Sequence, residues 1–223
     1  MDIKIDQKDI ILGKTKLKYK EKPFYYYRYN KKIIKSLYKE VLKLENIVVL
    51  YQSKYGATKK YAEWLAEELS SDIIETKQAD IEQVAKYDTI ILGGGIYATG
   101  IAGVSFLRKH YEKLKGKRIV VFAVGASPYD EKAMIAIKER NFKEKLNEIP
   151  CFYCRGAWNE KSMSWKDKTL CNILKKAVAK KDPNKYEPWE AALMQAIGSN
   201  FDWTNKENLK PLIEFIQKNY NDI

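Results

Sequence analysis

The feature that most constrains this chain is an alternation, from residue 46 onward, of short apolar runs with segments of helical spacing. Residues 46–52 read NIVVLYQ, and comparable β-rich runs follow at 72–76, 88–93, 118–125 and 149–155. Segments of helical spacing fall between them at 58–70, 81–87, 102–115 and 131–146. Continuous β-branched runs joined by crossover helices belong to a parallel sheet covered on both faces. Five such units predict an α/β, doubly wound, five-stranded parallel sheet in the order 2-1-3-4-5. A closing helix is expected over 202–220, with Thr204 and Glu207 at capping-box spacing. Sheets of this kind bind ligands at the carboxyl ends of strands 1, 3 and 4, so loops 53–58, 94–100 and 126–130 are where chemistry is expected.

Charge narrows the function classes. The chain of 223 residues carries +12, of which +7 sits in residues 1–45 and +5 in residues 46–223. The later part therefore mixes both signs, shows no phosphate-tracking patch, and argues against a nucleic-acid partner. Residues 1–45 form a basic N-terminal extension outside the alternating core, read either as disordered or as translation from a start codon placed too early. Asn30 precedes Ile33, Ile34, Leu37, Tyr38, Val41 and Leu42 at helical spacing, so a helix over 31–44 is also expected. No run approaches a membrane span and no secretory h-region is present, so the expected location is cytoplasmic. Three cysteines suit a reducing compartment.

The first loop carries the sharpest signal. Ser53, Lys54, Tyr55, Gly56, Ala57 and Thr58 join a buried strand to a helix N-terminus, where unpaired N–H groups and the positive end of the helix dipole can hold an anion. Gly56 lets the backbone turn closely, and the hydroxyls of Ser53 and Thr58 add donors. The triphosphate motif GxxxxGK[ST] is absent, as is a dinucleotide GxGxxG. A magnesium-dependent receiver is excluded because the first strand ends Tyr51-Gln52-Ser53, without clustered carboxylates.

The stretch VVLYQSKYGATKKYAEWLAEEL resembles the flavodoxin signature, in which a strand runs into T/S-x-T/S-G-x-T and a helix. Ser53, Gly56 and Thr58 match it; Tyr55 departs by placing a phenol where a smaller hydroxyl is usual. The resemblance covers residues 46–223, with an insertion at about 157–201, and implies a flavodoxin-like fold that binds FMN non-covalently. It implies that the first loop wraps the ribityl phosphate. It also implies that Gly94, Gly95, Ile96, Tyr97, Ala98 and Thr99 lie beside the flavin ring, with Ala126, Ser127 and Tyr129 as a second wall. Arg155-Gly156-Ala157, the insertion, and Asp202-Trp203 are similar to the branch that includes quinone-dependent protoporphyrinogen oxidases. The resemblance thus implies electron transfer through flavin to a redox partner protein or quinone. A quinone-linked, protoporphyrinogen-oxidase-like dehydrogenase and a non-catalytic module that has lost flavin are the alternatives. Lys54, Lys59 and Lys60 cluster at the first loop, so a less negative second-electron potential than that of an acidic flavodoxin is expected.

In the insertion, Leu170, Ile173, Leu174, Ala177 and Val178 form an apolar stripe on a lysine-rich helix, and a second helix is expected over 188–197 with Pro188 in its first turn and Gly198 after its end. Two readings stand: packing on the sheet edge, or a peripheral membrane or quinone contact. Cys151 and Cys154 have redox-motif spacing but lie on a strand, where residues three apart face opposite ways, so they are read as buried small hydrophobes. His110 is read as solvent-facing or structural.

Overall fold

In the computed structural model the described residues are 46–218 and three short strands nearer the N-terminus. Those strands, β1 (Ile5–Asp6), β2 (Asp9–Leu12) and β3 (Thr15–Lys18), pair antiparallel in sequence order. Strands of two to four residues are too short to display a readable alternation. They belong to a unit spanning Met1–Leu44; a second unit spans Glu45–Ile223. The helix expected over 31–44 lies outside the described residues.

The second unit is built on β4 (Ile47–Gln52), whose first four residues are buried. It pairs in parallel with β5 (Asp72–Glu75) on one side and with β6 (Thr89–Tyr97) on the other. Beyond β6 come β8 (Arg118–Gly125) and β9 (Cys151–Arg155), also parallel. The order β5-β4-β6-β8-β9 is the predicted 2-1-3-4-5. Helix α1 (Ala57–Glu68) buries Thr58, Tyr61, Ala62, Leu65 and Ala66, the spacing of one helical face. The helix expected over 81–87 is a single turn, α2 (Ile81–Val84). Then follow α3 (Val104–Leu114) and α4 (Glu131–Asn141); a separate 3-10 turn, Glu144–Leu146, replaces the last part of the helix expected to reach 146.

Side chains sort by strand parity into two cores. Val48, Leu50, Ile90, Leu92, Val121 and Ala123 share one with Leu107 and Leu114 of α3. Val49, Ile91, Val120, Phe122 and Cys154 share the other with Tyr61 and Leu65 of α1 and with Leu212 and Ile216 of the closing helix. Both faces of the sheet are therefore covered, which is why its strands read as unbroken apolar runs.

Two departures bear on the site. The loop expected over 94–100 is mostly strand. Gly94, Gly95, Ile96 and Tyr97 continue β6, which turns through Ala98 and Thr99 and pairs antiparallel with β7 (Gly100–Ile101). Glycine runs usually signal a turn, but here they create room. A Cβ on Gly93 would stand 2.2 Å from the Phe122 ring, and one on Gly94 2.2 Å from the Ala102 carbonyl oxygen. The second departure is at the C-terminal end. The closing segment begins as a 3-10 turn, Lys206–Leu209, capped by Asn205, whose side chain accepts from the Glu207 N–H at 3.0 Å, and continues as the closing α-helix from Lys210. Thr204 instead donates its hydroxyl to Asp202 at 2.6 Å. Asn205, one residue nearer the turn, satisfies the N–H that Thr204 was expected to cap.

Between β9 and that closing segment lie β10 (Ala157–Asn159), α5 (Trp165–Val178), α6 (Pro188–Ala196) and β11 (Asn200–Asp202). β10 and β11 pair antiparallel and close the base of the insertion. The closing α-helix, α7, spans Lys210–Lys218. Tyr61 ties this region to the sheet: its hydroxyl donates to the Arg155 carbonyl at 2.6 Å and accepts from Asn205 N and Asn208 Nδ2 at 3.0 and 2.7 Å.

Candidate functional site

Parallel pairing puts the carboxyl ends of β4, β6 and β8 on one edge of the sheet, and the three expected loops meet there. In the first, Gly56 adopts φ +94°, a left-handed conformation that favours glycine, and its N–H donates to Ser53 Oγ at 3.1 Å. Helix α1 starts at the next residue with no capping side chain and no acid in its first turn. By contrast, Asp80, Asp130 and Ser164 each cap the helix they precede. Gly103, before α3, is also left-handed, but a Cβ there would meet Leu92, Gln52 and Thr76 within 3.4 Å, whereas one on Gly56 would meet nothing within 4 Å. The turn at Gly56 thus leaves open space at the start of α1, where the N–H groups of Ala57, Thr58 and Lys59 have no intrahelical acceptor. This donor set fits a phosphate.

The second loop is held against the first, and the third is held by the end of β9. The backbone N–H of Lys54 donates to the Tyr97 hydroxyl at 3.3 Å, and the Tyr55 and Tyr97 rings meet edge-on at 6.3 Å. Burial pushes the Tyr97 hydroxyl's pKa above its usual value, which keeps it neutral. Ile96 reaches Gly125 at the end of β8, where a Cβ would stand 3.2 Å from its side chain. Ala126 accepts through its carbonyl from Arg155 Nε at 3.3 Å, and Ser127 accepts through its carbonyl from the Tyr153 hydroxyl. Tyr129 is 64% exposed, with one edge on Tyr153 at 5.9 Å. Tyr97 and Tyr129 are the aromatic surfaces that these loops offer to a planar ligand. Ala98 and Thr99 have positive φ, 45° and 68°, and form the tip of the β6–β7 hairpin, where Thr99's carbonyl accepts from Asn141 Nδ2 at 2.7 Å.

Sequence reasoning missed Asp167. Its carboxylate, in the first turn of α5, accepts from both Lys54 Nζ and the Tyr55 hydroxyl, while Ser164 N donates to that same hydroxyl at 3.2 Å. The bond to Lys54, then that to Tyr55, holds the Asp167 carboxyl below the usual carboxylate range. Nothing in the sequence spacing could reveal a contact across more than a hundred residues. The phenol that departs from the signature at Tyr55 is therefore engaged by the insertion, so it is not a spare phosphate donor.

The same contacts revise the charge argument. Lys54 pairs with Asp167, Lys59 lies 3.8 Å from Glu63, and Lys60 lies 2.9 Å from Asp202. Each of the three lysines faces a carboxylate, so their summed effect on a bound flavin is small and the expected rise in potential loses its main source. Asp202 is the most strongly held of these acids: hydrogen bonds from Thr204, then the Lys60 ammonium, lower its pKa to about 2. A depressed carboxylate stabilises the fold above its unfolded pKa and loses that contribution as pH falls through the folded value. More than half of this side chain is exposed, so screening reduces the contribution to about 1 kcal/mol. Asp202→Asn should therefore lower stability by about that amount at pH 7, and the gap should close between about pH 4 and pH 2 in urea titrations.

A cavity of about 490 Å³ opens beside the first loop, lined by Tyr55, Gly56, Ala57 and Lys60 on one side and by β10, β11 and Thr204 on the other. It receives nothing from the second or third loop. A cavity of about 570 Å³ beside α4 shares no residue with any of the three. Cys151, partly buried, packs against one core and Cys154 is buried in the other, and burial pushes both thiols up to about 12. His110 lies against Phe106 at 4.8 Å, its pKa lowered by partial burial and then by Lys109 and Lys113.

The flavodoxin domain family matches residues 48–185, more than half the chain, and the chain belongs to that family. Among solved structures, a flavoprotein in complex with FMN from Lactobacillus acidophilus NCFM is similar at 18% identity, covering 50% of this chain and 93% of that one, with a TM-score of 0.37. A flavodoxin, WrbA-like protein from Agrobacterium tumefaciens is similar at 20% identity, covering 56% and 88%, with a TM-score of 0.37. The two-electron reduced flavodoxin of Megasphaera elsdenii is similar at 20% identity, covering 48% and 82%, with a TM-score of 0.39. No curated protein matches the sequence.

Proposed function

We propose that this chain binds FMN non-covalently on the edge formed by loops 53–58, 94–99 and 126–129 and transfers electrons through it. The observation that carries this reading is the uncapped first turn of α1 opening onto free space over Gly56, within a domain of the flavodoxin family. The backbone N–H groups of residues 57–59 and the Ser53 hydroxyl would hold the phosphate; the Thr58 side chain is buried on the face that α1 turns to the core. Gly94–Thr99 and Tyr129 would flank the ring, with main-chain groups of the β6–β7 hairpin along one edge. When bound, FMN supplies one- and two-electron redox chemistry; the protein supplies orientation, partial exclusion of water and a nearly neutral electrostatic surround.

A second reading, a dehydrogenase delivering electrons to a quinone, is favoured by one observation. The insertion is fastened to the cofactor loop through Asp167 and Ser164, a contact that a simple carrier does not need. The resemblance to quinone-dependent protoporphyrinogen oxidases falls in this same region. Anaerobic turnover of a porphyrinogen with a short-chain quinone acceptor, by FMN-loaded protein, separates the two. Steady multiple turnover supports the enzyme; reoxidation of reduced protein by quinone without porphyrinogen turnover supports the carrier. Failure to take up FMN contradicts both.

A further inference from the structure

Helix α5 carries an apolar stripe that no described residue covers. Leu170, Ile173, Leu174 and Ala177 follow the i, i+3, i+4, i+7 spacing that normally faces a core, yet all four are exposed, Ile173 by 59%. The side of α5 that does pack is centred on Val178, with Asp167 and Cys171 partly buried. At 3.6 residues per turn, the exposed stripe lies roughly a quarter turn around the helix from that side. Trp165, at the start of the helix, is 73% exposed but points away from the stripe, half a turn from Leu174.

The charges around the stripe indicate what it meets. Lys176 and Lys180 run along one border, Lys166 stands near its start, and Lys181 closes its end, where it pairs with Glu190 at 2.6 Å. Among the described residues, Lys166, Lys176 and Lys180 form no ion pair. The one carboxylate of the helix, Asp167, is turned to Lys54 and Tyr55. A second copy of this face would set lysine against lysine. An apolar stripe bordered by flexible lysines that can reach outward past their own stems needs no shaped counterpart. It matches a negatively charged bilayer surface. We propose that α5 lies in the plane of an anionic membrane surface, with Leu170, Ile173 and Leu174 entering the headgroup boundary and the lysines facing acidic headgroups. Docking itself does not depend on the flavin reading. If both hold, the bond from Asp167 to Lys54 brings the cofactor loop to the membrane, where lipid-soluble electron acceptors reside.

Flotation of the full chain with phosphatidylcholine vesicles, and with vesicles containing about a third phosphatidylglycerol, tests the proposal. Binding to the anionic vesicles alone, weakened by salt, is expected. Each lysine at such a surface strengthens binding roughly fivefold, so Lys166→Gln, Lys176→Gln and Lys180→Gln together should weaken partitioning on the order of 100-fold. Ile173→Ser with Leu174→Ser should also lower it, with circular dichroism unchanged. Three results would overturn the proposal: no binding to anionic vesicles; binding that survives both variants and disappears only when residues 1–45 are removed; or a dimer in light scattering that the serine variant dissociates.

Discussion

Gly94→Ala should destabilise the domain by about 3 kcal/mol or more, a large effect for a single added methyl group. The added Cβ would stand 2.2 Å from the Ala102 carbonyl oxygen and 2.5 Å from Ile101 Cγ2. A carbonyl oxygen cannot rotate away as a side chain can. The β6–β7 hairpin would have to shift, straining the bond from Ala102 N to the Gly95 carbonyl at 3.0 Å and moving Ile96 and Tyr97 with it. Gly100→Ala is the internal control: its Cβ would meet only the Tyr97 carbonyl, at 3.4 Å, so a change within about 0.5 kcal/mol is expected. Urea midpoints of the two variants check this. A Gly94→Ala midpoint equal to that of the unmodified chain would show that the glycines do not set the hairpin's position.

Gly56→Asp should abolish flavin binding while leaving the fold in place. The space over Gly56 is open, so the side chain fits; the left-handed φ costs roughly 1 kcal/mol, which Asp tolerates better than most residues. Its carboxylate would stand where the phosphate is held. A single charge and a dianion about 4 Å apart repel by roughly 2 to 8 kcal/mol at effective dielectrics of about 80 to 20. The expected loss of affinity is therefore at least about 30-fold at the weak end of that range. Gly56→Ala bears the strain without the charge and should retain flavin at reduced affinity. Fluorimetry of released flavin after desalting reads both. Flavin retained by Gly56→Asp would mean that the phosphate is held elsewhere.

The sheet was legible because its strands are buried on both faces, so runs such as 118–125 mark themselves by composition alone; β8 has those same bounds. The first loop was legible because a left-handed glycine before a helix is a local feature. What stayed hidden is non-local. Gly94 and Gly95 read as a turn because glycine's role, at Gly94 against the Ala102 carbonyl, depends on a hairpin that local composition does not show. Asp167 looked like one charge in a lysine-rich helix until α5 was placed beside Lys54 and Tyr55. The apolar stripe of α5 was visible as a pattern, but the pattern could not say whether it faced a core or the outside. Likewise, Lys54, Lys59 and Lys60 counted as positive charge because their carboxylate partners are set partly by the tertiary fold.

The central claim, that the edge formed by loops 53–58, 94–99 and 126–129 holds FMN by its phosphate, is tested most directly by titrating the purified, flavin-stripped protein with FMN and, separately, with riboflavin. Two or three charge-assisted hydrogen bonds from the first turn of α1 contribute roughly 3 kcal/mol or more between them. FMN should therefore quench to a one-to-one end point and bind at least about 100-fold more tightly than riboflavin. Equal affinities for the two flavins, or no binding of either, would contradict the account.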